Sequence, residues 1–341
     1  MNLTDTTIRQ GATTGVQRQQ GDLAVEATGL VKRFGDVVAV DGIDLRVNMG
    51  EVFGVLGPNG AGKTTMLRML ATLLTIDGGK ATIFGVDVAD RPHQIRQLVG
   101  VTGQYASVDE NLTAAENLWL FGRLVGLKSK PAKSRAGELL DKFGLADAAH
   151  RQIKTFSGGM RRRLDLAASL ISRPPLIFLD EPTTGLDPRT RGQMWDTIRE
   201  LIRDGATVLL TTQYLDEADQ LADRIAVVDR GRKVAEGTPN ELKAAVGNST
   251  LYVQLTDVSR TGEAAGLAAR ILGEAPALTP EAGGMSIALP DPNRAADVLI
   301  ALRTAEIGIA TASVRQPTLD EVFLAITGHY TDAASDSEES R

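Results

Sequence analysis

Residues Gly57-Pro58-Asn59-Gly60-Ala61-Gly62-Lys63-Thr64 match the pattern G-x-x-x-x-G-K-[ST] at every fixed position. The apolar run Glu51–Leu56 before them predicts a buried strand, and Thr65–Leu70 after them predicts a helix. Strand, loop and helix together make an anion site, because glycines let backbone N–H groups converge on phosphate oxygens and the helix N-terminus adds partial positive charge. We expect Lys63 to contact the outer phosphates of a nucleotide and Thr64 to ligate Mg²⁺.

A second stretch, Leu179-Asp180-Glu181-Pro182, places two adjacent carboxylates after a continuous apolar run that begins at Leu176. Such a run predicts a strand that is covered on both faces. One carboxylate can hold Mg²⁺, and its neighbour can orient and deprotonate a water that attacks the γ-phosphate. We therefore expect Asp180 to bind the metal, Glu181 to act as the general base, and both to meet the phosphate loop in space.

The composition narrows the class of protein. A length of 341 residues suggests two domains, and a net charge of -6 does not favour nucleic acid as a partner. The absence of cysteine excludes disulfides, thiol catalysis and cysteine-ligated zinc, and fits a reducing cytoplasm. The 3 histidines are widely separated, which argues against a histidine metal centre.

The two ends of the sequence and its hydropathy give further expectations. No apolar run is long enough to span a bilayer, so we expect a soluble protein. Residues 1–21 are polar and lack an apolar signal core, and residues 329–341 are acidic and rich in Ser and Ala. Both segments are expected to be disordered.

A predominantly helical insertion is predicted between the two stretches. Thr113 and Glu116 form a capping box, which fixes the start of one helix. Residues 118–125 of that helix are apolar on more than one face. This fits an ordinary buried helix as well as a helix that keeps one face for a partner.

The stretch Ser157-Gly158-Gly159 indicates a second helix N-terminus. Ser157 can cap the helix, and the two glycines expose backbone N–H groups there. The pattern fits either a simple N-cap or a second anion site. The arginines that follow, 161–163, are by themselves typical of a solvated face.

Three other residues stand where a nucleotide could reach them. Gln104 follows the predicted strand 99–103, and Gln213 follows the predicted strand 207–211. Phe34 lies upstream of the phosphate loop, either packed on a strand edge or free to stack on a nucleotide base. A lone Gln at a strand end usually has no function, so these two become informative only in combination with the other motifs.

The composition changes near Gly247. From Leu251 the predicted order is β-α-β-β-α-β followed by a helix over 319–326, which suggests a small ferredoxin-like domain. That region carries no recognisable catalytic cluster. We expect a disordered extension over 1–21, an ATPase domain over 22–246 with a helical subdomain at about 104–165, an accessory domain over 247–328 and a tail over 329–341.

In this order, the motifs resemble the nucleotide-binding subunit of ATP-binding-cassette (ABC) transporters, over about 23–242. Within that superfamily, Phe156–Arg163, Thr211–Asp219 and Pro317–Leu324 resemble the daunorubicin-resistance type, which energises a separate multidrug exporter of the ABC-2 type. The resemblance implies an α/β fold: a P-loop NTPase of ABC type with a mixed sheet core, an antiparallel β subdomain and a helical subdomain, plus the small α+β ferredoxin-like C-terminal domain.

The resemblance also implies cofactors, partners and roles. ATP with Mg²⁺ would bind between two copies of the chain paired head to tail, and an integral membrane ABC-2 type permease would bind the pair at the cytoplasmic face of the membrane. Glu181, Lys63, Gln213 and Gln104 would be catalytic, and Thr64, Gln104 and Asp180 would hold the metal. The nucleotide contacts would be Phe34, Gly57, Pro58, Asn59, Gly60, Ala61, Gly62, Lys63, Thr64, Thr65, Ser157, Gly158, Gly159 and Asp187.

Three positions depart from the usual pattern of the superfamily. Met160 replaces a Gln, Phe34 replaces a Tyr, and Gln213 replaces a His. A Gln amide can donate to a phosphate oxygen but cannot accept a proton, which leaves the base role to Glu181. The cargo and the choice between ATP and GTP stay open, as do two alternatives: a soluble ABC ATPase acting on nucleic acid or ribosomes, and a nucleotide-gated regulatory protein with little hydrolysis.

Overall fold

The computed structural model describes residues 22–103, 108–247, 249–279, 283–289 and 291–328. The predictions for the extension 1–21, for Gln104 and for the tail 329–341 lie outside these residues. Within the described ranges, no helix is both long and apolar enough to cross a membrane.

The described residues form three sheets with helices packed on them. The strands are β1 Leu23–Phe34, β2 Val37–Asn48, β3 Val52–Leu56, β4 Gly78–Ile83, β5 Val86–Asp87, β6 Val99–Thr102, β7 Leu176–Asp180, β8 Thr207–Thr212, β9 Arg224–Asp229, β10 Arg232–Gly237, β11 Ser249–Leu255, β12 Ala277–Leu278, β13 Gly284–Leu289 and β14 Ile309–Arg315. The α-helices are α1 Lys63–Leu70, α2 Pro92–Leu98, α3 Ala114–Leu124, α4 Ser129–Lys142, α5 Gly158–Ser169, α6 Pro188–Arg203, α7 Leu215–Leu221, α8 Pro239–Val246, α9 Thr261–Leu272, α10 Ala295–Thr304 and α11 Leu319–Thr327.

The central sheet has the strand order β10-β9-β3-β8-β7-β6. Its strands β9, β3, β8, β7 and β6 run parallel, and β10 pairs antiparallel at one edge. Every residue of β3, β7 and β8 is buried, as expected for parallel strands that are covered on both faces. Because these three strands are neighbours, the loops at their carboxyl ends meet at one edge of the sheet, where α/β proteins bind ligands.

An antiparallel sheet of order β2-β1-β4-β5 packs beside the central sheet, and one cluster of buried side chains joins the two. A second cluster joins the central sheet to helices α3, α4, α5 and α6. Mixed sheet, antiparallel sheet and helical region therefore form the predicted ABC-type architecture.

The C-terminal sheet has the order β12-β13-β11-β14, with every pair antiparallel. Helices α9 and α10 pack on one face of it through an apolar cluster of their own. This is the ferredoxin-like arrangement that the order of the predicted elements indicated, and the predicted fold class is confirmed.

The last helix, α11, packs on a different part of the protein from the one that its place in the sequence suggests. Its buried residues Leu319, Val322 and Phe323 share a cluster with Leu56 at the end of β3 and with residues of α7, β9 and α8. The sequence predicted the helix but not its partner. Helix α11 thus ties the C-terminal end of the described chain to the central sheet, close to the start of the phosphate loop.

The apolar helix of the insertion, α3, is only partly covered. The capping box of Thr113 and Glu116 begins it, as predicted. Leu118 is fully buried, whereas Leu124 is 72% exposed and the following Val125 is 50% exposed. The helix therefore uses one face for the core and leaves apolar side chains at its C-terminal end in contact with solvent.

The packing of α11 predicts that a change there destabilises the ATPase region. Both tryptophans, Trp119 and Trp195, lie in that region, so their fluorescence reports its unfolding. Phe323→Ala removes a side chain that is 1% exposed, and we expect it to lower the free energy of unfolding by about 3–5 kcal/mol in urea titrations followed by tryptophan fluorescence. The control Ile300→Ala, at a position that is 63% exposed in α10, should change it by less than about 0.5 kcal/mol. An unchanged tryptophan transition in Phe323→Ala would contradict the packing of α11 on the central sheet.

Candidate functional site

The phosphate loop connects β3 to α1, as the pattern predicts. A Cβ at Gly57 would overlap the carbonyl oxygen of Val228, and one at Gly62 would overlap that of Ala39. Gly62, the N-cap of α1, also has φ +100°, which L-residues with side chains rarely adopt. Only glycine therefore allows the loop to lie this close to its neighbours. Asn59 and Gly60 remain exposed at the crest of the loop.

The side chain of Lys63 lies inside the loop. Its Nζ atom donates to the carbonyl oxygens of Gly57 at 2.7 Å and Pro58 at 3.0 Å, and lies 3.5 Å from Oε1 of Glu181. The residue is only 4% exposed. A buried ammonium group held against these oxygens is positioned to exchange them for the oxygens of a phosphate chain.

Asp180, the last residue of β7, connects the start of α1 to β8. Its Oδ1 atom accepts hydrogen bonds from Oγ1 of Thr64 at 2.9 Å and from Oγ1 of Thr211 at 2.6 Å. A hydroxyl and a carboxylate at this separation are the hard oxygen ligands that Mg²⁺ prefers. The two predicted metal ligands that the structure describes, Thr64 and Asp180, thus fit Mg²⁺; the third, Gln104, lies outside the described residues.

Glu181 is held in an uncommon backbone conformation. Its φ is +48°, and its N–H donates to the carbonyl oxygen of Thr211 at 3.0 Å and to the Thr211 hydroxyl at 3.2 Å. The Thr184 hydroxyl donates to Oε2 of the carboxylate at 3.3 Å. Left-handed backbone in a residue with a long side chain is costly and is over-represented at functional sites. Together these contacts turn the carboxylate towards Lys63.

Gln213 and Phe34 border this centre. Gln213 directly follows β8, and its Oε1 atom is buried without a hydrogen-bonding partner in the part of the chain that the structure describes. Phe34 is 49% exposed at the end of β1, next to the turn that leads into β2. The same two-stranded unit approaches the phosphate loop at Ala39, on β2.

Ser157, Gly158 and Gly159 form the start of α5. The Ser157 hydroxyl accepts from the N–H of Met160 at 3.3 Å, so Ser157 is the N-cap, and both Ser157 and Gly158 are exposed.

Asp187 caps α6 in the same way, accepting from the N–H of Thr190 at 3.0 Å, and hydrogen bonds from Thr190 lower the pKa of this carboxyl. A Cβ added to Gly159 would contact the Thr190 side chain at 2.5 Å, so the starts of α5 and α6 touch. A cleft of about 330 Å³ lies beside them and is lined by Gly158, Glu181, Thr184 and Gly185, among others.

The structure also brings in polar residues that the sequence did not single out. Thr211 and Thr184 fix the two carboxylates, and threonine at a strand end or in a turn gives no signal of such a role. Glu217, on α7, is fully buried, and its Oε1 atom accepts from the indole N–H of Trp195 at 3.3 Å. Burial raises the pKa of Glu217, although the hydroxyls of Thr212 and Thr183, the Trp195 indole and the nearby charge of Arg191 act in the opposite direction.

Comparison with known proteins agrees with this geometry. The sequence pattern of the family described as "ABC transporter" matches residues 40–184, and that of "ATP-binding protein DrrA1-3-like, C-terminal domain" matches residues 237–327. The chain is 53% identical to the daunorubicin/doxorubicin resistance ATP-binding protein DrrA of Streptomyces peucetius, over 92% of this chain and 96% of that protein. It is 46% identical to the Nod factor export ATP-binding protein I of Cupriavidus pinatubonensis, over 62% of this chain and 65% of that protein.

Among solved structures, the fold is similar to that of a dimeric ATP-binding cassette in a post-hydrolysis state bound to ADP and Pi. The TM-score is 0.58 with 26% sequence identity, over 63% of this chain and 98% of that one. The resemblance that the motifs indicated is thereby confirmed.

The buried carboxyl of Glu217 predicts a pH dependence of stability. Its folded-state pKa lies above the ordinary value of 4.5, so the unfolded chain releases this proton at a lower pH than the folded chain. The stability that Glu217 contributes is therefore lost as the pH rises from about 4.5 through the raised value. We expect Glu217→Gln, which keeps the acceptor for Trp195 and cannot ionise, to gain stability relative to wild type across the pH range above about 4.5, where the unfolded wild-type chain has already ionised this carboxyl. Urea titrations across this range measure the difference, and a difference independent of pH would contradict the raised pKa.

Proposed function

Because this chain belongs to the family of ABC transporter ATP-binding proteins, we propose that it is the ATP-hydrolysing subunit of an exporter whose membrane-spanning part is a separate protein. The relatives that match it over most of its length are named for daunorubicin and doxorubicin resistance, which favours efflux of drugs or other lipophilic compounds. An ATPase subunit need not touch the cargo, and we propose that the membrane subunit selects it.

One observation carries the proposal for hydrolysis. The Thr64 hydroxyl lies 2.9 Å from Asp180, and Lys63 lies 3.5 Å from Glu181, although more than a hundred residues separate the two motifs in the sequence. The residues proposed to hold phosphate, to ligate Mg²⁺ and to act as the base therefore lie next to one another. A regulatory protein that only binds nucleotide has no need of the second carboxylate.

The residues then have distinct tasks in hydrolysis of the terminal phosphate of ATP. Backbone N–H groups of the phosphate loop and the Lys63 ammonium hold the phosphate chain. Thr64 and Asp180 would hold Mg²⁺, which would supply neutralisation of the charge on the phosphate oxygens. Glu181 orients and deprotonates the attacking water, and the Gln213 amide donates to a γ-phosphate oxygen. GTP fits the same contacts, since stacking on Phe34 discriminates poorly between purines.

A second copy of the chain completes each site in this proposal. Ser157 and Gly158 are exposed, and the start of α5 offers free N–H groups, so this end of α5 suits the γ-phosphate of a nucleotide held by the other copy. Asp187 lies beside it through the contact between Gly159 and Thr190. In this proposal two copies pair head to tail around two ATP molecules. ATP binding closes the dimer, and hydrolysis opens it.

The membrane partner is proposed to dock on the helical region. The exposed apolar end of α3, Leu124 and Val125, needs a partner that covers it. An integral membrane permease of the ABC-2 type at the cytoplasmic face of the membrane provides one. The domain ranges 22–246 for the ATPase and 247–328 for the accessory region are part of the same proposal.

The base role predicts the behaviour of Glu181→Gln. The amide cannot accept the proton of the attacking water, so we expect kcat for ATP hydrolysis to fall by about 10²–10⁴ while ATP still binds. We expect size exclusion of this variant to give a monomer without nucleotide and a dimer with Mg-ATP. Glu200→Gln, the same change on the exposed side of α6, is the matched control and should hydrolyse ATP at the wild-type rate.

The possible results separate the alternatives. Normal steady-state hydrolysis by Glu181→Gln would refute the assignment of the base. A wild-type protein that binds ATP, shifts to a dimer and hydrolyses almost none of it would favour the nucleotide-gated regulatory protein.

The docking proposal makes a separate prediction. Leu124→Glu places a charge in the apolar patch, and we expect it to reduce co-purification with the proposed membrane permease by at least about tenfold, as for loss of an interface hot spot. Ile300→Glu, the same kind of change at an exposed position of α10, is the control. Undiminished co-purification of Leu124→Glu would place the permease elsewhere.

A further inference from the structure

Arg162 is tied to the main chain of the hydrolytic site by four hydrogen bonds. Its guanidinium donates from Nη1 to the carbonyl oxygen of Gly103 at 2.6 Å and from Nε to that of Pro182 at 2.9 Å. Nη2 donates to the carbonyl oxygens of Asp180 at 2.9 Å and Glu181 at 2.8 Å. The side chain is therefore not part of the solvated face that a run of arginines indicates by itself.

The four acceptors belong to two segments that carry the proposed chemistry. Three are consecutive residues, Asp180 to Pro182, in the turn that holds Glu181 in its left-handed conformation. The fourth, Gly103, follows β6 and directly precedes Gln104. Arg162 itself lies in the second turn of α5, whose first turn carries Ser157, Gly158 and Gly159. One side chain thus connects three parts of the site.

Only a guanidinium can make this set of contacts. Arginine presents five N–H donors in a rigid planar fork, whereas lysine presents one flexible ammonium group. Burial lowers the pKa of Arg162, and the carboxylates of Asp165, Asp180, Glu217 and Glu181 favour its charged form. The guanidinium charge therefore lies near carboxylates, while the N–H groups donate to main-chain oxygens. The positions of those oxygens define the path of the turn.

The neighbouring arginines make contacts of another kind. Arg161 pairs with Glu110 at 2.5 Å, and Arg163 donates to the carbonyl oxygen of Phe143 at 3.1 Å. Both acceptors lie in the helical region rather than in the turn of Glu181. Arg163 is a close chemical match for Arg162, since each uses a guanidinium on the same helix to bind main-chain oxygen.

We infer that Arg162 is a positioning residue that couples the N-terminus of α5 to the turn of Glu181. Arg162 connects α5 to the turn of Glu181. When the first turn of α5 binds the nucleotide held by the other copy, a shift of α5 therefore moves the turn of Glu181 in the same subunit. Each subunit would then place its own base in response to the nucleotide of its partner. This inference rests on the proposed ATPase and its head-to-tail pairing.

Arg162→Lys, with Arg163→Lys as the matched control, tests the coupling. We expect kcat to fall by about 10- to 100-fold in Arg162→Lys with little change in KM, because the base is misplaced while the phosphate loop is intact. Hydrogen–deuterium exchange of the nucleotide-free protein should be faster over residues 178–184 in Arg162→Lys and unchanged there in Arg163→Lys. In the Glu181→Gln background, Mg-ATP should still drive dimer formation in Arg162→Lys but should no longer protect the turn from exchange.

The outcomes separate this inference from the proposal beneath it. Wild-type turnover and wild-type exchange in Arg162→Lys would overturn the coupling and leave the ATPase proposal intact. An absence of ATP hydrolysis in the wild-type protein would instead refute the proposed function, and exchange of the nucleotide-free turn would still decide whether Arg162 holds it. If Arg162→Lys lowers the midpoint of thermal unfolding, Arg162→Gln, which keeps two donors, is compared with wild type at a temperature where both are folded. Equal hydrogen–deuterium exchange over residues 178–184 in these two proteins would again overturn the inference.

Discussion

The contact between the Thr64 hydroxyl and Asp180 is the interaction on which the site depends. It joins the first turn of α1 to the end of β7, and the Thr211 hydroxyl fixes the same carboxylate oxygen from β8, the strand that lies between β3 and β7. Three parallel strands in which every residue is buried make this contact possible, because their burial leaves little freedom in register. The packing of these strands thus sets the distance between the phosphate loop and Asp180, the proposed metal ligand.

Much of this was predictable from the sequence. The phosphate-loop pattern indicated a strand, a turn and a helix, and continuous apolar runs marked β3 and β7 as buried strands. The capping box of Thr113 and Glu116 located the start of α3, where the structure has both reciprocal hydrogen bonds. Each of these signals is local: the residues that carry it are also the residues that make the contact, so a short stretch of sequence contains the whole argument.

The features that sequence reasoning missed are nonlocal. Arg162 binds main-chain oxygens, which have no residue identity, and a run of arginines looks the same whether its members face solvent or carbonyl groups. Glu217 is buried although its position in an acidic helix predicts exposure. Helix α11 joins the cluster around Leu56 because α7, α8 and β9 leave an apolar surface there, which no pattern within α11 reveals.

Buried polar groups around Glu181 show how stability and function are balanced here. The left-handed backbone of Glu181, the buried carboxyl of Glu217 and the Gln213 Oε1 atom, which has no hydrogen-bonding partner among the described residues, each raise the free energy of the folded state. The conformation of Glu181 persists because the surrounding strands and the guanidinium of Arg162 leave the turn no alternative path. A turn that is held by main-chain contacts under strain has few intermediate positions available, so a displacement of α5 moves it as a unit. Under the proposed head-to-tail pairing, such a turn suits a base whose position follows the nucleotide that binds at the start of α5.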